Sequence, residues 1–279
     1  MKKILAAIDG LKPSRNTVDF AIQLAGDTHA QLVGVFLDDY RYHSYKIYEL
    51  IGEQDGISEK QKTEFDERDK QVRLNASLSF QEACTKAGVD FKIHHDRNIA
   101  IRELIHESMF ADLLVIDSKE TLTHYEESMP TNFVKSLLTQ VGCPVILAPL
   151  QYRPFENISL LYDGKPDALY AIKMFSYLVP DLRGKHIEII EVETTSKTRQ
   201  NPDNRLLKEF IKRHFPEATF KILKGQPETE IIKYLLPSAE QQLIVLGAYK
   251  RSTLSRWLKP SLADSLMKQL DCPLFIAHN

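Results

Sequence analysis

The sequence ILAAIDG at residues 4–10 decides the fold, because it returns as ISLLYDG at residues 158–164. Each copy is a short apolar run, typical of a buried strand, that ends in the turn-forming pair Asp-Gly. Three more pairs follow in the same order: FKI at 91 and 220, LLVID and LIVLG at 113 and 243, and CPVILA and CPLFIA at 143 and 272. Their offsets of 129, 130 and 129 residues indicate one structural unit in duplicate.

Short apolar runs alternate with helical patterns in each half, which predicts βαβ units and a parallel sheet buried on both faces. We predict five strands per half. They occupy residues 4–8, 32–37, 91–95, 113–116 and 145–148, and then 158–162, 187–192, 219–223, 243–246 and 274–277. The segment 149–154 between the copies predicts two domains, residues 1–150 and 151–279.

The composition predicts a soluble, folded chain. Of its 279 residues, 43% are hydrophobic and 27% charged, which are ordinary globular values. Asp9 cuts short the first apolar run, so the beginning of the chain is predicted to be a strand and not a signal peptide, and no membrane partner is expected. Cys84, Cys143 and Cys272 are odd in number and far apart, which predicts reduced thiols in a cytoplasmic protein, the last two as small buried fillers.

The two halves differ in charge. Residues 1–150 carry 17 Lys and Arg against 23 Asp and Glu, a net charge of −6, whereas residues 151–279 carry 19 against 15, a net charge of +4. Neither half is basic enough to predict nucleic-acid binding. The asymmetry favours attraction of a small anion to the second half, or of the halves to each other.

The halves differ most in the segment 39–88. A helix is predicted from about Ser58, with an apolar stripe formed by Phe65, Val72, Ala76, Phe80, Ala83 and Ala87. Four tyrosines precede it: Tyr40, Tyr42, Tyr45 and Tyr48. Two interpretations of these tyrosines stay open, a lid that stacks over the cleft of the first half and a packed helix or subunit contact.

The Asp-Gly pairs, the fourth-strand runs and the terminal CPVILA and CPLFIA strands resemble the universal stress protein family in its tandem form. The resemblance spans nearly the whole chain. It implies two doubly wound parallel-sheet domains of the adenine nucleotide α-hydrolase-like type, with five strands each in the order 3-2-1-4-5. In nucleotide-binding members, the loop after strand four runs glycine, two residues, glycine, nine residues, glycine, then serine or threonine. Ligands of open α/β sheets bind at this end of the strands.

Both copies keep the spacing of this loop but lose most of its glycines. The second copy has Gly247, Lys250, Pro260 and Ser261 at the four positions, and the first has Asp117, Glu120, Pro130 and Thr131. Glycine lets backbone N–H groups approach phosphate oxygens, and proline removes an N–H donor. The usual triphosphate cradle is therefore not expected in either copy.

The two loops also differ in sign. The first is acidic through Asp117, Glu120, Glu126 and Glu127, which repels phosphate unless a divalent cation intervenes. The second is basic through Lys250, Arg251, Arg256 and Lys259, so that side chains can hold a phosphate. The alternative is that these are solvated charges on an exposed loop. Thr131 and Ser261 are alternatively helix N-caps, Ser261 with Asp264 in the pattern S-x-x-D.

The resemblance places the aspartate at the end of strand one, Asp9 or Asp163, near the adenosine. Asp-Gly at a strand end is also ordinary turn chemistry. The candidate nucleotide-binding residues are Asp163, Gly164, Gly247, Lys250, Arg251, Ser261 and Asp9. His94 and Asp96 are a same-side pair in the third strand, but two ligands are too few to predict a metal site.

Three functions are compatible with these residues. The first is a cytoplasmic, non-catalytic tandem universal stress protein of stress response or regulation, whose second cleft binds ATP, a related adenine nucleotide or another phosphorylated small molecule. The second is an interaction scaffold or homodimer with both clefts vestigial. Because the family pairs through its last strands, CPVILA and CPLFIA can then pair within one chain as an internal pseudo-dimer. The third, a hydrolase of nucleotides or phosphoesters, rests on fold analogy alone.

Overall fold

The computed structural model of the chain describes residues 2–39, 42–44, 58–96, 99–179, 184–194, 204–249 and 261–279. Ten strands and eight α-helices lie in these ranges. The strands are β1 (Lys3–Asp9), β2 (Gln31–Leu37), β3 (Phe91–Asp96), β4 (Leu113–Asp117), β5 (Val145–Ala148), β6 (Asn157–Leu161), β7 (His186–Glu193), β8 (Thr219–Lys224), β9 (Gln242–Gly247) and β10 (Leu274–Ala277). Each predicted strand is present, and no end differs by more than one residue.

The helices alternate with the strands, four in each half. They are α1 (Arg15–Thr28), α2 (Glu59–Ala87), α3 (Ala100–Ser108), α4 (Asn132–Gln140), α5 (Pro166–Leu178), α6 (Asn204–His214), α7 (Pro227–Leu235) and α8 (Leu262–Gln269). A 3₁₀ helix, Leu236–Gln241, follows α7. Among the described residues, no helix combines the length and the apolar character that crossing a membrane requires.

The strands form one sheet in the order β3-β2-β1-β4-β5-β10-β9-β6-β7-β8. Each half has the predicted order 3-2-1-4-5, and its strands are parallel. The halves meet where β5 and β10 pair antiparallel, with Ile146 opposite Phe275. This confirms the internal pairing of CPVILA with CPLFIA. The two five-stranded sheets thereby continue into one sheet of ten strands, in which the pairing of the two edge strands satisfies backbone groups that would otherwise form free edges.

The core lies in two layers, one on each face of the sheet. One layer contains Phe20, Phe80, Phe175 and Ile211 from α1, α2, α5 and α6, packed on strand residues such as Ile4. The other contains Leu104, Leu137, Ile232 and Leu266 from α3, α4, α7 and α8, packed on strand residues such as Leu5. Successive strand residues therefore enter opposite layers, as a sheet covered on both faces requires.

The predicted helix after Ser58 is confirmed as α2, and Ser58 caps it through a capping box with Gln61. Its buried face includes Ala76, Phe80 and Cys84. Ala87 was wrongly assigned to that face, since the chain leaves the helix there through Gly88 in the left-handed conformation and Ala87 is exposed. The three cysteines are free and buried, as the filler interpretation of Cys143 and Cys272 requires.

Candidate functional site

The candidate sites lie at the carboxyl ends of β1 and β4 in the N-terminal half and of β6 and β9 in the C-terminal half. In each half the chain crosses to one side of the first strand and later to the other, with β1 between β2 and β4 and β6 between β7 and β9. A crevice opens at such a switch in winding, at the ends of the two central strands.

Asp9 ends β1 at the centre of the N-terminal crevice and is 4% exposed. Its Oδ1 accepts the backbone N–H groups of Leu11 at 2.7 Å and Lys12 at 3.1 Å, which confirms the predicted turn chemistry. Burial raises the pKa of Asp9, while these two N–H groups and a hydrogen bond from Tyr42 favour the ionised form and oppose the rise. Both carboxylate oxygens of Asp9 thus have hydrogen-bond partners within the N-terminal half.

Tyr42 fills the space beside Asp9. Its hydroxyl donates to Oδ2 of Asp9 at 3.1 Å, and its side chain is buried, with 4% exposed. The ring lies 5.2 Å from that of His124 and 5.9 Å from Nζ of Lys12, and its backbone oxygen accepts from Arg73 at 2.9 Å. Tyr42 is therefore packed into the cleft of the first half; Tyr40, Tyr45 and Tyr48 lie outside the described residues.

Glu120 adds a further carboxylate to this crevice. Its Oε1 accepts the N–H groups of Thr121 at 2.9 Å and Leu122 at 2.8 Å. Burial, and after it the charge of Asp9, raises the pKa of Glu120 to about 7. Asp117 accepts the N–H of Lys119 at 2.8 Å and lies within 3.4 Å of the Thr17 hydroxyl. The N-terminal crevice is acidic and occupied by protein side chains, which disfavours a phosphate there.

In the C-terminal crevice the aspartate after the first strand is exposed and paired with a lysine. Asp163, the counterpart of Asp9, is exposed, and its Oδ1 accepts the N–H of Lys165 at 3.0 Å. Lys165 also places its Nζ 2.5 Å from Oδ2 of Asp163. Gly164 between them has a φ of 81°, a conformation that suits glycine. Here too the Asp-Gly pair makes the predicted turn, but the carboxylate is neutralised by an adjacent lysine.

Gly247 ends β9 beneath the first turn of α5. A Cβ at this position would lie 2.6 Å from the backbone nitrogen of Ala168 and closer still to the carbonyl group of Asp167. The helix approaches so closely because it begins three residues after Asp163, whereas α1 begins six residues after Asp9. The glycine is thus required for packing, and its counterpart in the first half, Asp117, has room for a side chain.

Ser261 begins α8 with a capping box. Its hydroxyl accepts the N–H of Asp264 at 3.2 Å, and the carboxylate of Asp264 accepts the N–H of Ser261 at 3.0 Å. Asp264 also accepts the Tyr249 hydroxyl. Thr131 likewise caps α4 through the N–H of Val134 at 3.2 Å. The capping interpretation is confirmed for both residues.

Four basic residues predicted to bind phosphate lie outside the described residues: Lys250, Arg251, Arg256 and Lys259. Pro260 lies outside them as well. What the structure brings together in the C-terminal crevice is therefore Asp163, Gly164, Gly247 and the start of α8. Asp9 lies in the other crevice, more than half the sheet away.

Other polar groups considered from the sequence have structural partners. His94 Nδ1 lies 2.6 Å from Oε1 of Glu107, and the side chain of Asp96 is outside the description. Within the described ranges, no group of three or more His, Cys, Asp or Glu side chains is arranged to hold a metal ion. Two cavities of about 160 Å³ among the described residues are lined by other side chains than those of the candidate nucleotide-binding residues.

Fold and strand-end loops together define a tandem α/β protein built from two copies of one module. The model of the universal stress protein family matches residues 1–149 and again residues 156–278, so the chain belongs to the universal stress protein family. No curated protein matches the sequence.

Solved structures share the fold of this chain. A universal stress protein from Archaeoglobus fulgidus DSM 4304 is 14% identical with a TM-score of 0.72, and the match covers 99% of this chain and 98% of that one. A functionally unknown protein from Pseudomonas aeruginosa PAO1 is also 14% identical with a TM-score of 0.61, and the match covers 99% of this chain and 92% of that one. At these identities the likeness shows the fold alone.

Sequence reasoning missed three features of the site: the hydrogen bond from Tyr42 to Asp9, the partial burial of Glu120 and the packing of α5 on Gly247. The shorter connection after Asp163 was the one available signal for the last of these. The first two depend on which residues of long loops reach the strand ends, and no local pattern reports that.

Proposed function

We propose that the protein is a non-catalytic tandem universal stress protein that binds a phosphorylated small molecule, ATP or a related adenine nucleotide, in its C-terminal half alone. The domains of this proposal are residues 1–150 and 151–279, and its location is the cytoplasm, where the three free cysteines stay reduced. Its role is in stress response or regulation.

The observation that carries the proposal is the contrast between the two crevices. The N-terminal one contains Asp9, Asp117 and Glu120 and is filled by Tyr42. In the C-terminal one, Lys165 neutralises the counterpart aspartate and a helix begins at Ser261, whose N-terminus attracts anions. The N-terminal half carries a net charge of −6 and the C-terminal half one of +4, which favours an anion at the C-terminal half.

Phosphate is held mainly by side chains in this proposal. Gly247 lies under α5, so its backbone does not provide the approach that a glycine cradle offers. Lys250 and Arg251 are the third and fourth residues after Gly247 in the sequence and the first basic residues of that loop. An arginine can bind phosphate through two hydrogen bonds, and a lysine as a point charge.

Calorimetric titration of the full chain with ATP tests the proposal. We expect one site per chain and at least a tenfold loss of affinity in the double variant Lys250→Ala and Arg251→Ala. The matched control is Lys212→Ala with Arg213→Ala in the last turn of α6, which removes the same charge elsewhere. Absence of binding at millimolar ATP, two sites per chain, or equal losses in both double variants would contradict it. Phosphate release measured on the same samples should stay at the level of a protein-free blank.

A scaffold that acts through self-association is the second candidate, and the exposed face of β8 favours it. Phe220 and Ile222 on this edge strand are 42% and 53% exposed, whereas Phe91 of the other edge strand packs against Phe80 of the longer α2. We take the occupant to be β8 of a second copy. Sedimentation of wild type and Ile222→Lys would then show a dimer and a monomer, with Leu236→Lys, 55% exposed elsewhere, as the control that stays dimeric. A monomeric wild type at all concentrations removes this candidate.

A further inference from the structure

A cavity of about 160 Å³ lies between the two halves of the chain and is lined by other residues than those of either crevice. α1 of the N-terminal half forms one wall, and the segment 149–156 together with the residue before β7 forms the other. The floor is apolar, because Phe20, Leu24 and Phe155 line it and are buried. An apolar cavity of about 150 Å³ in a protein interior can hold a benzene molecule, so this cavity has room for one aromatic ring.

Contacts with α1 hold the segment between the halves in place. The side-chain amide of Asn16 donates to the backbone oxygen of Leu150, and its oxygen accepts the N–H of Tyr152 at 3.4 Å. The ring of Tyr152 packs edge-on against that of Phe20, with 5.5 Å between the two centroids. The walls of the cavity are thus preorganised by contacts within the protein, which lowers the cost of binding a ligand.

The mouth of the cavity carries one charge of each sign. Asp27 is exposed on α1, and its Oδ1 accepts the side-chain amide of Gln23 at 2.7 Å. Lys185 belongs to the other half, is half-buried, and places its Nζ 5.6 Å from the centroid of the Phe155 ring. Asp27 and Lys185 are the charged residues among those that line the cavity. A ligand with a single charge would meet one like charge here, whereas a zwitterion finds an opposite charge for each of its groups.

We propose that this cavity binds a small molecule with one aromatic ring and a zwitterionic head group, the chemistry of an aromatic α-amino acid such as phenylalanine. The ring packs among Phe20, Leu24 and Phe155, where contact between aromatic rings adds to the burial of apolar area. The ammonium group of the ligand faces Asp27, and its carboxylate faces Lys185. Because each half provides one wall, the bound ligand stabilises the tandem arrangement of the halves. The proposal does not rest on nucleotide binding in the C-terminal crevice, and either can fail alone.

Ligand analogues test the proposal on the wild-type full chain. Calorimetric titration compares L-phenylalanine with 2-phenylethylamine, which lacks the carboxylate, with 3-phenylpropanoate, which lacks the ammonium group, and with L-alanine, which lacks the ring. We expect one phenylalanine site per chain. Each singly charged analogue should bind at least about fivefold more weakly, the effect of one ion pair at a partly exposed site. L-Alanine should not bind at millimolar concentration, because it cannot fill the apolar floor.

Two substitutions at the mouth assign each charge of the ligand to its partner. Asp27→Asn should weaken phenylalanine binding about fivefold without weakening that of 3-phenylpropanoate, and Lys185→Met should do the same without weakening that of 2-phenylethylamine. Two matched controls should leave the affinity for phenylalanine unchanged. Asp90→Asn removes another exposed carboxylate that accepts a glutamine amide, and Lys221→Met removes another half-buried lysine above an aromatic ring.

Three results would overturn the proposal. The first is that phenylalanine does not bind at millimolar concentration. The second is that a singly charged analogue binds as tightly as phenylalanine, because the mouth would then not select a zwitterion. The third is that the control variants lose as much affinity as the variants at the mouth, because the ligand would then bind elsewhere.

Discussion

Replacing Gly247 by alanine should destabilise the C-terminal half, because the added Cβ collides with backbone atoms. The ideal Cβ position is 2.6 Å from the nitrogen of Ala168, and ordinary Cβ contacts begin at 3.4 Å. The first turn of α5 must therefore move by at least about 0.8 Å, or β9 must bend by a similar amount, since the carbonyl group of Asp167 is nearer still. The nitrogen of Ala168 and the carbonyl group of Asp167 cannot rotate away from the added Cβ, since they belong to the backbone.

The movement would disturb a well-packed layer. α5 contributes Ala171, Ile172 and Phe175, all fully buried, to the core on this face of the sheet. Overpacking of a dense interior costs about 1–3 kcal/mol. We expect Gly247→Ala to lose about 2–3 kcal/mol of unfolding free energy, towards the upper end because the obstacle is backbone.

Urea unfolding followed by far-UV circular dichroism measures the effect, with Gly26→Ala as the control. Gly26 lies inside α1, where the nearest atom to an added Cβ is Val89 Cγ2 at 4.0 Å. Alanine there should leave stability unchanged or raise it by up to about 1 kcal/mol. The packing argument is refuted if Gly247→Ala unfolds within about 0.5 kcal/mol of wild type and weakens ATP binding instead, because the glycine would then serve a ligand.

Three further predictions concern the core, a cap and pH. Phe275 of β10 is fully buried beside the junction of the halves, and Phe275→Ala should lower the unfolding free energy measured in urea by about 3–5 kcal/mol. Phe220 is 42% exposed, and the control Phe220→Ala should lower it by about 1 kcal/mol or less. Ser58→Ala should cost about 1 kcal/mol and speed hydrogen exchange in the first turn of α2, whereas Ser79→Ala on the exposed side of the same helix should do neither. The unfolding free energy of the wild type should fall as pH rises from 4.5 to about 7, because the pKa of Glu120 is raised in the folded state. In Glu120→Gln this fall should be smaller by roughly 1–3 kcal/mol. A variant with the same pH profile as the wild type would contradict the raised pKa of Glu120.

Local features of the fold were predictable because they depend on neighbouring residues. A strand buried on both faces is a short apolar run, and each of the ten runs is a strand. Ser58 forms a capping box with Gln61, and Ser261 forms one with Asp264. In both pairs the residues are three positions apart, so the sequence spacing indicates the capping box. The repeat offset then predicted that the halves share one strand order.

The candidate site was predictable in part. Asp9 and Asp163 were expected at strand ends in Asp-Gly turns, and both are there. Their surroundings were not expected to differ so much, with Asp9 4% exposed and Asp163 at the surface. Nucleotide binding by Lys250 and Arg251 stays a prediction that titration has to test.

The sequence by itself determined the duplicated unit, the strands and the helix caps, since these follow from hydrophobic periodicity and from side chains a few positions apart. Tertiary structure alone decided that α5 rests on Gly247, that Tyr42 reaches Asp9, and that Glu120 is partly buried within range of the charge of Asp9. These interactions join residues 33 to 111 positions apart in the sequence. Their formation depends on how closely helices and loops dock on the sheet, and differences of about 1 Å in docking decide between a contact and a clash.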